Sequence, residues 1–386
     1  MTVARPSIAY VALTLNPGGT ERLAVDMARA FRHEFDVSVV CIDEPGAWAA
    51  GLRAIGIPVH CVWRQPGLDL NVAARLARLF RQLKPDLVHA HQCTPWFYAA
   101  LSRLAWRAPR LLLEEHGRFW PEPDKPLRRL VNRAAIAPLT HRFVAVSEDI
   151  RRRLVRYEGL RADRIEVIYN GVTPATALTA NERRALRASL GLTDDDFVVG
   201  TVGRLDPIKN LPMLIEALRQ AQLRVPSLRG LIVGDGPERE ALQAAIAGAG
   251  LRSRVVTTGH RDDARRLTQC MDLFVLASLS EGTSMALLEA LAGGVAVAVT
   301  AVGGNPEVVD AGVSGWVVPS QDAGALAEAI AEAATRPDVA AQRAAAARCA
   351  FSARFSFDAM LDGYRRLYAG MLGGAPVPQP RLPSGT

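Results

Sequence analysis

The sequence predicts an α/β protein with two doubly wound parallel sheets, one in each half of the chain. Short apolar runs recur along the chain and alternate with stretches in which apolar residues have helical spacing. Strands that alternate with helices in this way form parallel sheets covered on both faces. The alternation is interrupted once, by a polar stretch over residues 173–196, and then begins again. Two successive sheets are therefore favoured over one very large sheet.

In the first half, short apolar runs predict the strands. These runs are residues 7–13, 37–42, 59–62, 87–90, 111–114, 143–146 and 166–168. Helical spacing predicts helices over residues 20–31, 68–83, 96–106, 125–137 and 148–157. Gly18 and Gly19 follow the first strand but lack the GxGxxG pattern of nicotinamide and flavin sites. They are interpreted either as a turn or as a close backbone approach to an anion or acceptor.

In the second half, the predicted strands are residues 197–202, 230–233, 255–257, 273–277, 295–299 and 316–317. Helical patterns separate them, and the last two helices, over residues 340–350 and 357–371, have no strand after them. The polar stretch 173–196 is predicted to be a linker with one short helix. Residues 373–386 are rich in proline and glycine, so we expect a disordered tail there.

Composition excludes several classes of protein. A hydrophobic content of 49% with 22% charged residues is typical of a folded protein and excludes wholesale disorder. No apolar run approaches the roughly 18 residues that span a bilayer, and we expect no signal peptide because the chain enters a strand at once. The five cysteines are scattered without a CxxC pair, which predicts a reduced, cytoplasmic protein without structural zinc.

Positive charge is concentrated in the first half. Residues 1–173 carry 25 Arg and Lys against 17 Asp and Glu, whereas the remainder carries 21 against 22. The first half is thus expected to meet an anionic partner: a membrane surface, a diphosphate-bearing lipid or nucleic acid. Basic amphipathic stretches at residues 68–84 and 125–139, with a cluster at 151–153, favour an anionic membrane surface. Nucleic acid is disfavoured because these stretches lack interleaved aromatics and no reader motif is present.

The most informative stretch is residues 277–309, in which an apolar strand leads through a polar loop into a helix. A helix N-terminus offers free N–H groups and a partial positive charge, so it favours phosphate. Glu281 and Glu289 flank this helix start, and carboxylates cannot be phosphate ligands because like charges repel. They are suited to accept hydrogen bonds from hydroxyls. Hydroxyl acceptors around a phosphate cradle indicate a sugar nucleotide.

Two cations follow the first strand of the second half. Arg204 and Lys209 could both reach a diphosphate at that strand end, Arg by gripping two oxygens and Lys as a point charge. The alternative is a pair of solvated surface cations. Lys209 is one of only three lysines among 46 basic residues, so its presence beside an arginine favours a specific role.

Several other loop residues have two interpretations. Gly234 and Gly236 are either a tight strand-to-helix turn or a close approach to a base or ribose. His116, followed by Gly117, is either structural or a catalytic or sugar-binding residue at a strand end. The Asp run at 194–196 contains the DxD spacing of metal-dependent sugar transferases, but it precedes a strand. It is interpreted as a turn, and no catalytic metal is predicted.

Together these motifs resemble the retaining glycosyltransferases of family 4, the glycosyl transferases group 1, over residues 7–371. The strongest mark is Glu281-x7-Glu289, preceded by Gly203-Arg-Leu-x-x-x-Lys209 and Gly234-Asp-Gly-Pro. The supporting marks are Gly18-Gly-Thr-Glu, Glu115-His-Gly, Val146-Ser-Glu, Asn170-Gly-Val and Val302-Gly-Gly-Asn-Pro-Glu307.

The resemblance implies the GT-B fold, with two facing Rossmann-like doubly wound domains and a cleft between them. Residues 1–172 would be the acceptor-binding domain, and residues 173–355 would bind the nucleotide sugar. Residues 356–372 would form a terminal helix that crosses back to the N-terminal domain, followed by the tail at 373–386.

The resemblance also assigns roles within the site. Arg204 and Lys209 would neutralise the diphosphate leaving group, Glu281 would accept hydroxyls of the transferred sugar, and Glu289 those of the ribose. His116 would contact the sugar, and Gly18 and Gly19 would line the acceptor side. The catalytic set would then be His116, Arg204, Lys209 and Glu281. The donor-binding set would be Gly203, Arg204, Lys209, Gly234, Gly236, Glu281, Gly282, Thr283, Ser284 and Glu289, with the distal phosphate on the amides of Thr283 and Ser284.

The implied activity is metal-independent, retaining transfer from a UDP- or GDP-sugar, without a cofactor, to a glycan or polyprenyl-diphosphate-linked acceptor. The expected setting is cell-surface polysaccharide biosynthesis, in the cytoplasm or peripherally on the inner face of the membrane. The alternatives are a nucleotide-sugar 2-epimerase or hydrolase on the same fold, and a non-catalytic sugar-nucleotide-binding protein. A pyridoxal-phosphate phosphorylase is disfavoured, because Lys209 is the only lysine of the second half.

Overall fold

The computed structural model of this chain describes residues 5–117 and 121–373. The chain forms two compact units: unit 1 contains the residues up to Gly117, Glu122–Ile168 and the residues from Leu361 onward, and unit 2 is built on Tyr169–Met360. Residues 169–172, which the sequence places in the first domain, thus belong to unit 2. There the Asn170 side chain donates to the carbonyl of Thr283 at 3.0 Å.

The strands of unit 1 match the predicted apolar runs. They are β1 (Ser7–Ala12), β2 (Asp36–Cys41), β3 (Val59–Cys61), β4 (Leu87–His91), β5 (Arg110–Glu115), β6 (Arg142–Ala145) and β7 (Ile165–Val167). They form a single parallel sheet in the order β3-β2-β1-β4-β5-β6-β7. The order reverses between β1 and β4, and ligands of doubly wound folds bind beyond the carboxyl ends of strands at such a reversal.

The helices between these strands cover the sheet. They are α1 (Gly19–Phe31), α2 (Ala49–Ala54), α3 (Asn71–Leu83), α4 (Cys93–Ser102), α5 (Pro126–Val131) and α6 (Glu148–Arg153). Phe80, Trp96 and Phe143 belong to the apolar core that forms against the sheet. The sequence pattern did not predict α2, because six residues are too few for a helical period to be recognised.

Two predicted helices are shorter than expected. The α-helical part of residues 125–137 ends at Val131 and continues as a π-helical turn, Asn132–Ile136. Residues 148–157 likewise change from α6 to the π-helical turn Leu154–Glu158. The buried carboxylate of Glu158 accepts hydrogen bonds from Arg128 and Asn132. A polar contact between the two segments thus accompanies a change of helix type that apolar spacing does not report.

Unit 2 contains a second parallel sheet. Its strands are β8 (Phe197–Val202), β9 (Leu228–Val233), β10 (Val255–Thr257), β11 (Leu273–Leu276), β12 (Ala296–Thr300) and β13 (Trp316–Val318). Their order is β10-β9-β8-β11-β12-β13, so the reversal lies between β8 and β11. The helices of this unit are α7 (Ala180–Ser189), α8 (Leu211–Ala221), α9 (Arg239–Gly248), α10 (Ala264–Thr268), α11 (Met285–Ala292), α12 (Asn305–Val308), α13 (Ala323–Thr335) and α14 (Pro337–Arg354). The two doubly wound parallel sheets that the sequence predicts are confirmed.

Successive residues of each central strand enter different cores, as the period of two requires. Val199 of β8 packs with α8 and α13, whereas its neighbour Val198 packs with α11 and α14. The stretch predicted to be a polar linker, residues 173–196, packs against this unit through α7. Arg187 of α7 is 1% exposed and donates to Asp272 at 2.7 Å and to the carbonyl of Cys270 at 2.9 Å.

The last helix of the described chain is α15 (Phe357–Met371), whose residues from Leu361 onward belong to unit 1. Tyr364 and Tyr368 are buried there, and Arg365 pairs with the buried carboxylate of Glu34 at 2.8 Å. Of the predicted tail, residues 374–386 lie outside the described residues. None of the described helices has both the length and the apolar character needed to cross a membrane.

Candidate active site

Two loops of unit 2 lie at the reversal of its sheet, and they are the loops that the sequence singles out. One follows β8 and contains Lys209 on a 3-10 turn, Pro207–Lys209; the other follows β11 and contains Glu281. The amide of Leu279 donates to the carbonyl of Ile208 at 2.8 Å, which joins the two loops through their backbones. Because β8 and β11 are adjacent and parallel, the two loops meet at one edge of the sheet.

Lys209 and Glu281 form an ion pair at this edge. Lys209 Nζ lies 2.6 Å from Glu281 Oε1, and the same oxygen accepts a hydrogen bond from Ser278 Oγ at 2.6 Å. The two charged side chains are only 24% and 10% exposed, so the pair is held in place rather than solvated. The sequence predicted both charged residues but missed the role of Ser278, whose only signal is its position two residues after the end of β11.

The loop after β11 leads into α11, whose first-turn amides have no partner within the helix. Ser284 Oγ caps the helix by accepting from the Leu287 amide. Gly282, Thr283 and Ser284 are all buried, and Asn170 anchors the Thr283 carbonyl from outside the loop. A fixed helix start beside a fixed cation is suited to hold an anion.

In the loop after β9, the two glycines that the sequence singles out allow neighbouring backbone to approach closely. A Cβ on Gly234, whose φ is +139°, would lie 1.8 Å from the Gly203 carbonyl oxygen. A Cβ on Gly236 would lie 2.4 Å from the carbonyl oxygen of Leu205. Both glycines thus let the loop after β9 pack against the segment that carries Arg204. This supports the interpretation as a tight turn, and contact with a nucleotide stays a prediction.

Another glycine fixes the backbone of Glu281. A Cβ on Gly303, whose φ is +54°, would lie 1.9 Å from the Glu281 carbonyl oxygen, and the Gly304 amide is 3.3 Å from that same oxygen. The loop after β12 therefore closes directly on Glu281. The sequence motif around Gly303 and Gly304 has a structural explanation in this close approach.

Replacing Gly234 with alanine is expected to lower the free energy of unfolding by about 3 kcal/mol, because the new Cβ meets backbone at a φ that alanine rarely adopts. Gly250 is the matched control. Its φ is +72°, and a Cβ there meets nothing within 4 Å, so alanine should cost only about 1 kcal/mol. Urea unfolding of both variants measures the difference. Equal losses would show that the contact with Gly203 is not what requires a glycine.

The structure places two other predicted residues at the margin of this site. The Arg204 side chain is 73% exposed, and its Nε lies 3.7 Å from Asp206, a weak surface pair. Glu289 lies on α11 and pairs with Arg265 of α10 at 3.0 Å, a partner that the sequence did not suggest. The proposed contacts of Arg204 with diphosphate and of Glu289 with ribose stay predictions.

In unit 1, His116 follows β5 and is buried in a group that we call the histidine cluster: His89, His91, His116 and Glu114. Its Nε2 lies 3.1 Å from His91 Nδ1 and 3.5 Å from Glu114 Oε1. Glu114 Oε2 lies 2.9 Å from His89 Nε2 and 3.2 Å from His91 Nδ1. The sequence singled out only His116. The missed signal is a His-x-His pair at the end of β4, which puts both rings on one face of the sheet.

The charge of the histidine cluster follows from burial and proximity. Burial alone would raise the pKa of Glu114, but the rings of His116, His89 and His91 hold it well below its usual range. Burial lowers the pKa of His89 and of His91, so both rings are neutral at neutral pH. Donor atoms of His89, His91 and Glu114 all lie within 4.8 Å of one another, close enough to share a divalent cation. Oε1 of the same carboxylate faces His116 instead.

Gly18 and Gly19 lie at the reversal of the sheet in unit 1. Gly18 is extended, with φ −170°, and Gly19 begins α1. The Gln92 side chain donates to Thr20 Oγ1 at 3.4 Å, which links the loop after β4 to the first turn of α1. The glycine pair, Gln92 and His116 thus follow three neighbouring strands, β1, β4 and β5, at the same sheet edge.

Two family models match the chain. The model for "Glycosyl transferases group 1" matches residues 182–349, and the model for "Glycosyltransferase Family 4" matches residues 17–176. Together they include the Lys209–Glu281 pair, the glycine pair and the histidine cluster. The chain belongs to the group 1 glycosyltransferases. It is therefore an enzyme of the transferase class.

Similar proteins agree with this assignment. The D-inositol 3-phosphate glycosyltransferase of Mycobacterium avium strain 104 is 29% identical over 299 residues, which cover 73% of this chain and 69% of that protein. HepE of Anabaena, solved with UDP and glucose, is 25% identical with a TM-score of 0.85, covering 95% of this chain and all of that one. A glycosyltransferase from Rickettsia africae, at 21% identity and a TM-score of 0.84 over 96% of this chain and all of that one, shares the fold. This group 1 glycosyltransferase therefore has the GT-B fold that its motifs implied.

Proposed function

We propose that this glycosyltransferase moves a sugar from a UDP-sugar to a hydroxyl of a glycan or lipid-linked glycan, with retention of anomeric configuration. The observation that carries the proposal is the Lys209–Glu281 pair, held at 2.6 Å beside the start of α11 at the sheet reversal. HepE, whose structures contain UDP and UDP-glucose, supports uridine as the nucleotide.

The geometry suits the departure of a diphosphate. Negative charge grows on the leaving group, and a preorganised cation and helix amides stabilise it without reorganisation. Lys209 Nζ has three N–H donors, so it can keep its bond to Glu281 and still donate to a phosphate oxygen. Arg204, on the same loop, can add a second cation once its exposed side chain is ordered by the ligand.

Glu281 serves the sugar rather than the phosphate in this proposal. Its carboxylate is oriented by Lys209 and Ser278. With its remaining lone pairs it can accept hydrogen bonds from the hydroxyls of the sugar. The family resemblance supports retention, in which a leaving phosphate oxygen takes the proton of the acceptor hydroxyl on the same face. His116 would hold another hydroxyl of the transferred sugar.

Nucleotide preference and stereochemistry provide the direct test. UDP should raise the melting temperature more than GDP or ADP, because binding to the folded state stabilises it. Product formation from UDP-sugars with glycan acceptors is followed by ¹H NMR of the anomeric proton, and retention is expected. Turnover without an acceptor would instead indicate a hydrolase or an epimerase. Inversion would contradict the proposed mechanism, and the absence of any nucleotide effect would contradict the donor assignment.

We propose further that unit 1 attaches to anionic lipid through α5. None of the six residues of this helix is buried, and Leu127 and Leu130 are exposed. Arg129 and Arg133 line a surface depression that Leu130 and Val155 share. Exposed leucines surrounded by arginines are typical of helices that lie in the interface of an anionic bilayer.

Liposome co-sedimentation tests this attachment. Binding to vesicles with anionic lipid should exceed binding to neutral vesicles, and Leu130→Ser should weaken it several-fold through lost apolar burial. Leu223→Ser, at an exposed leucine of unit 2, is the matched control and should leave vesicle binding unchanged. Equal binding to both vesicle types would contradict the proposal.

A further inference from the structure

Glu114 is a buried carboxylate whose ion-pair partners, within the described parts of the chain, are all imidazole rings. The two oxygens are divided between the rings. Oε2 faces His89 Nε2 and His91 Nδ1, and Oε1 faces His116 Nε2. A buried carboxylate is costly unless neighbouring groups compensate its charge, and here one nitrogen of each of the three rings lies within 3.5 Å of its oxygens.

The contacts of His89 extend this network to the C-terminal helix. His89 Nδ1 lies 2.8 Å from the Tyr368 hydroxyl, which lies 3.3 Å from the hydroxyl of Tyr10. Burial raises the pKa of both phenols, so each keeps its proton. A neutral His89 that turns Nε2–H toward Glu114 has only Nδ1 to accept with, so Tyr368 donates to it. Tyr10 in turn donates to Tyr368.

His116 is the only member of the histidine cluster that lies beyond a strand end, in the loop after β5. Its Nε2 lies 3.1 Å from His91 Nδ1 and 3.5 Å from Glu114 Oε1, so Nδ1 is the ring nitrogen that does not face the cluster. A carboxylate that orients an imidazole and fixes which nitrogen carries the proton is a recurring feature of working histidines.

We propose that Glu114 is a positioning residue for His116, setting the orientation and the protonated nitrogen of the ring that meets the transferred sugar. This inference rests on the proposed function, in which His116 contacts that sugar. To the site residues of that function it adds Glu114, which affects the reaction only through its contact with His116. The chain Tyr10–Tyr368–His89 holds the far side of the same carboxylate, so α15 contributes to the position of Glu114.

A double-mutant cycle tests the proposal. Glu114→Gln should lower kcat by roughly 10-fold to 100-fold, because small misplacements of a working group have effects of this size. The KM for the donor should stay within about 2-fold, and so should the Kd for UDP, because Lys209 and Glu281 lie in unit 2. His116→Asn should lower kcat at least as much, and the double variant should be no slower than His116→Asn alone. Additive losses would overturn the proposal.

Glu158→Gln is the matched control, since Glu158 is a buried carboxylate of unit 1 that pairs with Arg128 and Asn132. It should leave kcat within about 2-fold. If Glu114→Gln does not fold by circular dichroism, the same cycle is run with Glu114→Asp, which keeps the charge, moves the oxygens back and should give a smaller loss of kcat.

Nitrogen-15 NMR of the imidazole rings gives a readout that does not depend on activity. Glu114→Gln should change the protonation pattern of the His116 ring, whose signals are assigned with His116→Asn. Full activity of His116→Asn would contradict its role in the proposed function, while the NMR change still reports the coupling to Glu114. An unchanged His116 spectrum would overturn the proposal. One equivalent of tightly bound divalent metal, found by elemental analysis of the purified protein, would also overturn it and make the cluster a metal site.

Discussion

Replacing Lys209 with alanine is expected to lower kcat for sugar transfer by about 10³-fold, the scale for losing one preorganised donor to a developing anion. The ammonium group lies 2.6 Å from Glu281 Oε1 in a largely buried position, so its charge is poorly screened. The variant would also leave the Glu281 carboxylate without its cation, next to the diphosphate. Both effects oppose departure of the leaving group. Steady-state kinetics with a saturating UDP-sugar measures the change.

Two variants sharpen this expectation. Lys209→Arg keeps the charge but replaces a point donor with a planar fork, so it should recover only part of kcat. Arg224→Ala removes an exposed cation of unit 2 that pairs with Glu328 and should change kcat less than about 2-fold. Circular dichroism checks that each variant is folded. If Lys209→Ala had a kcat near that of the wild type, the proposal that Lys209 stabilises the leaving diphosphate would be wrong.

Replacing Glu281 with glutamine is expected to lower kcat/KM for the UDP-sugar by about 10²-fold, because the sugar hydroxyls then lose the charged acceptor of their hydrogen bonds. The backbone of Glu281 is held by the close approach of Gly303, so glutamine should occupy the same place. Free UDP has no transferred sugar, and its Kd should change less than about 3-fold. Calorimetry with UDP and kinetics with the UDP-sugar separate the two effects.

Glu216→Gln is the matched control for this variant. Its carboxylate pairs with Arg219 on the surface of α8, and its removal should leave both constants unchanged. If Glu281→Gln weakened UDP and the UDP-sugar equally, Glu281 would contact the nucleotide rather than the sugar. The assignment of Glu281 to the sugar would then be wrong.

Much of the fold could be predicted because it depends on local pattern. A buried parallel strand must be a short apolar run and its covering helix must have an apolar stripe, so β1, β8 and β11 are recognisable in isolation. The predictions failed for the elements that lack such a pattern. The π-helical turns at Asn132–Ile136 and Leu154–Glu158 accompany a polar contact between distant residues, and the six residues of α2 are too few for a period.

The site could be predicted only in part, for a related reason. Lys209 and Glu281 were recognisable because loops after parallel strands gather at one sheet edge, and a lysine is rare in this chain. Ser278 and Glu114 were missed, since a serine after a strand and a glutamate at a strand end are common. Their importance lies in the atoms they face, Glu281 Oε1 for one and three imidazoles for the other.

The amino-acid sequence alone predicts two doubly wound sheets, and it singles out the start of α11, Lys209 and Glu281 as candidate site residues. Only the tertiary structure shows that Lys209 and Glu281 form one ion pair, that Gly234 and Gly303 make room for neighbouring backbone, and that Glu114 Oε1 lies 3.5 Å from His116 Nε2. Periodicity records which face of an element is buried, and burial is a local requirement. Contacts between loops depend on how distant strands pair and how closely their ends pack, which no local pattern encodes.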